Sequence, residues 1–66
     1  MIIKINGKNE PINKAANLGE FILNKGLVPE HIIVEHNHNI IPKDGWCNIL
    51  LKENDNIEII SFVGGG

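Results

Sequence analysis

The sequence predicts an α+β domain in which one main helix packs across a mixed sheet of four to five strands. Three observations carry that expectation. β-branched runs stand at both ends of the 66 residues, one short segment between them has helical periodicity with a cap at each end, and asparagine and glycine turn signals separate the rest. Strand signals grouped around a single helix suggest this packing.

Met1 to Asn6 alternates around Ile3 and Ile5, the period-two mark of a half-buried strand. Asn6-Gly7 follows, a hairpin signal because the turn that matches twisted strands needs positive φ at both central residues. Glu10 to Lys14 reads as the returning strand, and Pro11 argues that it lies at a sheet edge, where a missing N–H costs no ladder bond, or begins irregularly. Asn17 can cap a helix, with Glu20 completing a capping box three residues on. Leu18, Phe21 and Ile22 then share one apolar face, and Gly26 supplies the left-handed stop. Ile32 to Glu35 is a strand, His36 to Asn39 a turn, and Ile40-Ile41 resumes before Pro42. Asp44-Gly45 is a further turn ahead of Trp46 to Leu51, an irregular or 3₁₀ segment with room for a short strand. Glu53 to Asn56 is a polar turn that leads into the last strand, Ile57 to Val63. The order is β-β-α-β-β-β. The two terminal strands are the most apolar and are expected to lie side by side, parallel, at the sheet centre.

Length and charge narrow the function. A single domain of this size buries only about 60% of the surface its unfolded chain exposes, which leaves little for a cleft with a lid, so a carrier, binding module or subunit is favoured over a catalyst. Six basic against eight acidic residues, net charge −2, form no basic stripe, and two Phe and one Trp offer little for base stacking, so nucleic acid is not an expected partner. Apolar runs fall far short of the roughly 20 residues that span a bilayer, and the start has no signal-peptide pattern, so no membrane partner and a cytoplasmic location are expected. The single cysteine, Cys47, permits no intrachain disulfide, in keeping with a reducing compartment.

Several side chains carry groups capable of chemistry. Cys47 has no basic neighbour in sequence and reads as a small core or half-buried residue; a sulfur-handling role is the lesser reading. His36 and His38 could share one side of a strand, but a metal site needs more ligands, and they read as solvated histidines of a polar turn. Glu53, Asp55 and Glu58 form no acid–base pair and read as solubility residues or as steering charges for a basic partner. Trp46 reads as a core filler or a lid over a core edge. In the last strand Ile57, Ile59 and Ser61 share one face, and Glu58, Ile60 and Phe62 the other. If Ile57 and Ile59 meet the helix, Ile60 and Phe62 are displayed on the open face as a docking surface.

Beyond that strand stands Gly64-Gly65-Gly66. A side-chain-free tail can enter a narrow pocket where any Cβ would clash, leaving only a terminal carboxylate to react. The same residues could equally be a tolerant terminus or a linker remnant.

Taken together, several segments resemble one known family along nearly the whole chain. They are Ile3-Lys4-Ile5-Asn6-Gly7, then Ile33-Val34-Glu35-His36-Asn37 running to Ile40-Ile41-Pro42, then Trp46, then Asp55-Asn56-Ile57-Glu58-Ile59-Ile60 ending in Phe62-Val63-Gly64-Gly65-Gly66. The family is the ThiS sulfur carriers of thiamine biosynthesis, ubiquitin-like β-grasp proteins related to the small subunit of molybdopterin synthase. The resemblance implies one β-grasp domain over residues 1–66 with a flexible tail at 64–66, and no cofactor of its own. It implies that a ThiF-like adenylyltransferase uses Mg-ATP to adenylate the Gly66 carboxylate. Sulfur from a cysteine desulfurase or another donor would convert it to a thiocarboxylate, and thiazole synthase would consume it. Gly65 and Gly64 would allow threading, and Ile60 and Phe62 docking. The carrier would itself catalyse nothing. Other readings are the molybdopterin synthase subunit, another ubiquitin-like sulfur carrier such as one serving transfer-RNA thiolation, and a non-reacting β-grasp interaction domain.

Overall fold

The computed structural model describes residues 1–12 and 16–62. The opening alternation builds β1 (Ile2–Ile5), and Asn6 and Gly7, with φ of 49° and 85°, turn it directly into β2 (Lys8–Pro11). Ile5 stands opposite Lys8 and Ile2 opposite Pro11. The returning strand thus begins two residues before the expected Glu10, because a turn with positive φ at both central residues lets pairing restart at once. The expected end of that strand, Lys14, lies outside the described residues.

The helix α1 (Leu18–Asn24) starts on the expected capping box: the Asn17 Oδ1 accepts from the Glu20 N–H at 2.8 Å, and the Glu20 carboxylate accepts from the Asn17 N–H. Gly26, at φ 76°, lies just past its end. Two further bonds fasten its start to the facing segment, Leu18 N–H to the Ile49 carbonyl and Leu51 N–H to the Ala16 carbonyl. The Lys25 ammonium at its other end pairs with the Glu10 carboxylate on β2. Asn17→Ala removes the cap acceptor and is expected to cost about 1 kcal/mol, roughly 4–8 °C in a domain of this size, read from a thermal unfolding curve.

A 3₁₀ turn (Pro29–His31) that the sequence reading did not anticipate leads into β3 (Ile32–His36), and a two-residue turn at Asn37-His38, φ 50° and 75°, returns the chain as β4 (Asn39–Ile40). A 3₁₀ segment (Lys43–Asn48) presents Trp46, and β5 (Asn56–Ser61) ends the described chain apart from Phe62. The sheet order is β2-β1-β5-β3-β4. β1 and β5 are central and parallel, with Lys4 opposite Asn56 and Ile5 opposite Ile57. β5 also runs antiparallel to β3 from His36–Ile57 to Ile32–Ser61. This mixed five-stranded sheet on one main helix is the expected ubiquitin-like β-grasp arrangement, with proline-bearing β2 at an edge.

The core lies between sheet and helix: Ile3, Ile32, Val34 and Ile57 from the strands, Leu18, Phe21 and Ile22 from α1, with Trp46 and Leu51 closing one side. The Trp46 Nε1–H donates to the Ile41 carbonyl at 2.8 Å, so the core filler keeps its polar group satisfied. Gly19 matters at the contact between α1 and the 3₁₀ segment, where an added Cβ would lie 3.3 Å from Cys47 Sγ and 3.2 Å from Asn17 Oδ1.

Candidate functional site

The far end of β5 is where the expected docking residues gather. Hydrogen bonds Asn37 N–H to the Asn56 carbonyl and Phe62 N–H to the His31 carbonyl set the backbone phase, with even-numbered β5 residues bonding towards β3. Ile57 is fully buried and Ile59 packs on the core, while Ile60 and Phe62 stand 50% and 55% exposed on the open face. Ile33 lies directly opposite Ile60 and is itself exposed, so the patch spans two strands. Ile40 is exposed on the neighbouring β4.

One row further along the same face, Glu35 lies opposite Glu58, and Ile40 lies opposite Glu35. Like charges directly across a strand pair oppose pairing, so these two side chains are not there to stabilise the sheet. The row does place two carboxylates beside an apolar patch, a combination that suits a partner offering an apolar surface rimmed by cations. Sequence reasoning singled out Ile60, Phe62 and Glu58 but missed Ile33, Ile40 and Glu35. Period two along Ile32-Ile33-Val34-Glu35, with Ile32 and Val34 inside, was the available signal.

Behind the patch, a polar cluster fixes the start of β5. Asp55 is buried, and it is neither a solubility residue nor a steering charge: its carboxylate accepts from the Lys52 N–H at 2.8 Å, Asn37 Nδ2 at 3.1 Å and His36 Nε2 at 3.0 Å. A carboxylate only accepts, so the His36 proton sits on Nε2 and the Asn37 amide is directed to Asp55 rather than to the imidazole. Burial acts to raise the Asp55 pKa, but the bonds from His36, Lys52 and Asn37 outweigh it and hold the carboxyl below its ordinary 3.8. Asn37 also accepts from the Asn56 N–H at 2.9 Å, so the β3–β4 turn and the start of β5 are one hydrogen-bonded unit. His36 is therefore a structural partner of a buried carboxylate and not the solvated histidine the sequence suggested; His38, in the turn, is exposed.

Cys47 also departs from expectation. It is exposed, because Trp46 takes the inward position of the 3₁₀ segment and turns its neighbour outward. It lines an apolar groove of about 360 Å³ with Gly19, Leu23, Pro29 and Trp46, on the helix side and away from the open face of the sheet. Among the described residues, no group of three His, Cys, Asp or Glu side chains is placed to hold a metal ion, and no helix is long and apolar enough to cross a membrane. Val63, Gly64, Gly65 and Gly66 lie outside the described residues.

A profile of the ThiS family matches residues 3–66. A sulfur carrier protein ThiS of Bacillus subtilis (strain 168) is 33% identical over 66 residues, covering 98% of this chain and all of the relative. Thiazole synthases of Magnetococcus marinus and Paramagnetospirillum magneticum are 30% and 27% identical over 66 residues, and there the chain spans about a fifth of the relatives' length. In three dimensions the fold superposes on a crystal structure of the thiamine biosynthesis protein ThiS from Geobacter metallireducens with a TM-score of 0.85, at 25% identity over the whole of both chains. With a central β5 that ends beside an exposed apolar patch, and a family match that runs on through the glycine tail, this chain belongs to the ThiS family.

Proposed function

We propose that the protein is a sulfur carrier of thiamine biosynthesis, acting through the carboxylate of Gly66. The observation that carries this reading is the correspondence with the Bacillus subtilis sulfur carrier protein along that relative's full length. A carboxylate is a poor electrophile, so an adenylyltransferase of the ThiF kind first activates it: a Gly66 oxygen attacks the α-phosphate of Mg-ATP and pyrophosphate leaves. The terminal sulfur of a persulfide, charged by a cysteine desulfurase or another donor, then adds to the acyl carbon and AMP leaves. A thiol attacking the donor's sulfur releases the Gly66 thiocarboxylate and forms a disulfide with the donor.

The chain supplies presentation and no catalytic group. Ile60 and Phe62, with Ile33 beside them, dock on each partner in turn, while Gly64 and Gly65 let the tail enter a pocket with no Cβ to clash. Ordering the tail costs about 1–2 kcal/mol per residue, which docking must offset. Thiazole synthase is the acceptor in this scheme. The two thiazole synthases of which one fifth aligns with this whole chain support that pairing.

The test is isotope exchange between pyrophosphate and ATP on the adenylating enzyme. Exchange is expected to depend on this chain and to vanish when Gly66 is removed, with the circular dichroism spectrum unchanged. Undiminished exchange without Gly66 would sink the assignment.

A further inference from the structure

β1 and β5 pair in register only as far as Ile5 opposite Ile57, because the chain turns away at Asn6-Gly7. β5 runs on to Ser61. Odd-numbered β5 residues bond towards β1, so the next rung of the ladder falls at Ile59, where β1 has no strand left to offer. The Asn6 side chain fills it. The backbone N–H of Asn6 donates to the Ile57 carbonyl at 2.9 Å, its Oδ1 accepts from the Ile59 N–H at 2.8 Å, and its Nδ2 donates to the Ile59 carbonyl at 3.3 Å. A side-chain amide carries an acceptor oxygen and two N–H donors, so Oδ1 takes the place of the missing strand carbonyl towards the Ile59 N–H, and Nδ2 adds a bond to the Ile59 carbonyl. Asparagine is also one of the few residues that accepts the φ of 49° found here, and a single residue therefore closes the hairpin and extends the ladder.

The rung matters because of what lies beyond it. Ile60, Ser61 and Phe62 follow at once, and among the described residues they pair on the β3 side alone. Among the described residues, the Asn6 amide is the last tie from the β1 side before the docking patch.

We propose that Asn6 is a positioning residue for the carrier reaction: its amide holds the end of β5, so that Ile60 and Phe62 are presented as a preformed surface. This rests on the carrier reading above. Without the amide, the docked complex must impose the path that the free protein now holds, and the ordering cost falls on binding.

Asn6→Gly separates this role from turn formation, since Gly-Gly also accepts the positive φ values of such a turn. Asn6→Asp is a second variant that keeps an acceptor for the Ile59 N–H but sets an oxygen against the Ile59 carbonyl. Initial rates of adenylation are measured with the cognate enzyme and Mg-ATP, alongside amide exchange at Ile59. Two hydrogen bonds of about 1 kcal/mol net each convert to about thirtyfold, so KM for the carrier is expected to rise by about that factor in Asn6→Gly with kcat nearly held, and Ile59 exchange to accelerate.

Ile57→Val, a core truncation that lowers the unfolding temperature without touching the amide, is expected to leave KM unchanged. A KM within about twofold of wild type in both Asn6 variants, with wild type reacting normally, would overturn the role of Asn6 alone. A wild-type chain that an active enzyme does not adenylate would overturn the carrier reading and this inference together. Should Asn6→Gly fail to fold, the Asn6→Asp values decide.

Discussion

Asp55→Ala is expected to destabilise the domain by about 2–4 kcal/mol, since it strips a buried carboxylate from three donors and leaves them facing one another. In a domain of this size that is a fall of roughly 10–25 °C in unfolding temperature, and many small domains have little more than that to lose. The loss should be concentrated where Asp55 joins elements, because Lys52, Asn37 and His36 come from the loop before β5, the β3–β4 turn and the end of β3. Amide exchange is accordingly expected to rise first at Asn37 and Asn56.

The same carboxylate sets an acid limit. Its folded pKa is depressed below 3.8, so the charged form favours the folded state, and its contribution is fully present above that value. It is lost as pH falls below about 4 and through the folded pKa, where protonation also deprives His36 of its acceptor. Asp55→Asn, which has no charge to lose, is expected to flatten that part of the stability–pH curve while lowering its plateau. A wild-type curve that is level from pH 5 to about 2 would contradict the account.

Ile60→Glu is expected to weaken binding to the adenylating enzyme by about thirtyfold or more, the scale of a central interface residue worth at least 2 kcal/mol. A carboxylate at that position would stand beside Ile33 and Phe62 and would have to be desolvated when the partner covers them. Half-exposure of Ile60 means that the fold itself should change little, by about 0.5 kcal/mol. Leu23→Glu, at a still more exposed position on α1, is the control and should bind as wild type. Equal binding by the two variants would remove the open sheet face as the docking surface. Raised salt should slow association of the wild type if Glu35 and Glu58 meet a cationic rim.

Much of this molecule is legible in its sequence. Asn6-Gly7, the Asn17–Glu20 box and Gly26 are local devices whose chemistry depends on adjacent residues, and they act where they were expected. The two faces of β5 were legible from its alternation, and the structure meets the condition that Ile57 and Ile59 face the helix. What failed to show was long-range. Nothing near Asp55 in sequence announces that Asn37 and His36 will reach it, because those partners are 18 and 19 residues away and meet only once β3 pairs with β5. The Asn6 rung spans 53 residues and looks in sequence like nothing more than a turn signal. Cys47 was misplaced for the opposite reason: its preference for burial is general, while the inward position of a 3₁₀ segment went to the larger neighbour, Trp46. The patch was half seen, since Ile33 and Ile40 join Ile60 and Phe62 only through strand register.

The central claim is that sulfur is carried on the terminal carboxyl group, and exposed Cys47 is the rival atom. Fragmentation mass spectrometry of the protein after incubation with the adenylating enzyme, Mg-ATP and a sulfur donor separates the two. The account predicts that one oxygen is exchanged for one sulfur on the fragment containing Gly66, resistant to mild thiol reduction. A sulfur gained on the Cys47 fragment with no loss of oxygen, removed by a thiol, would contradict it.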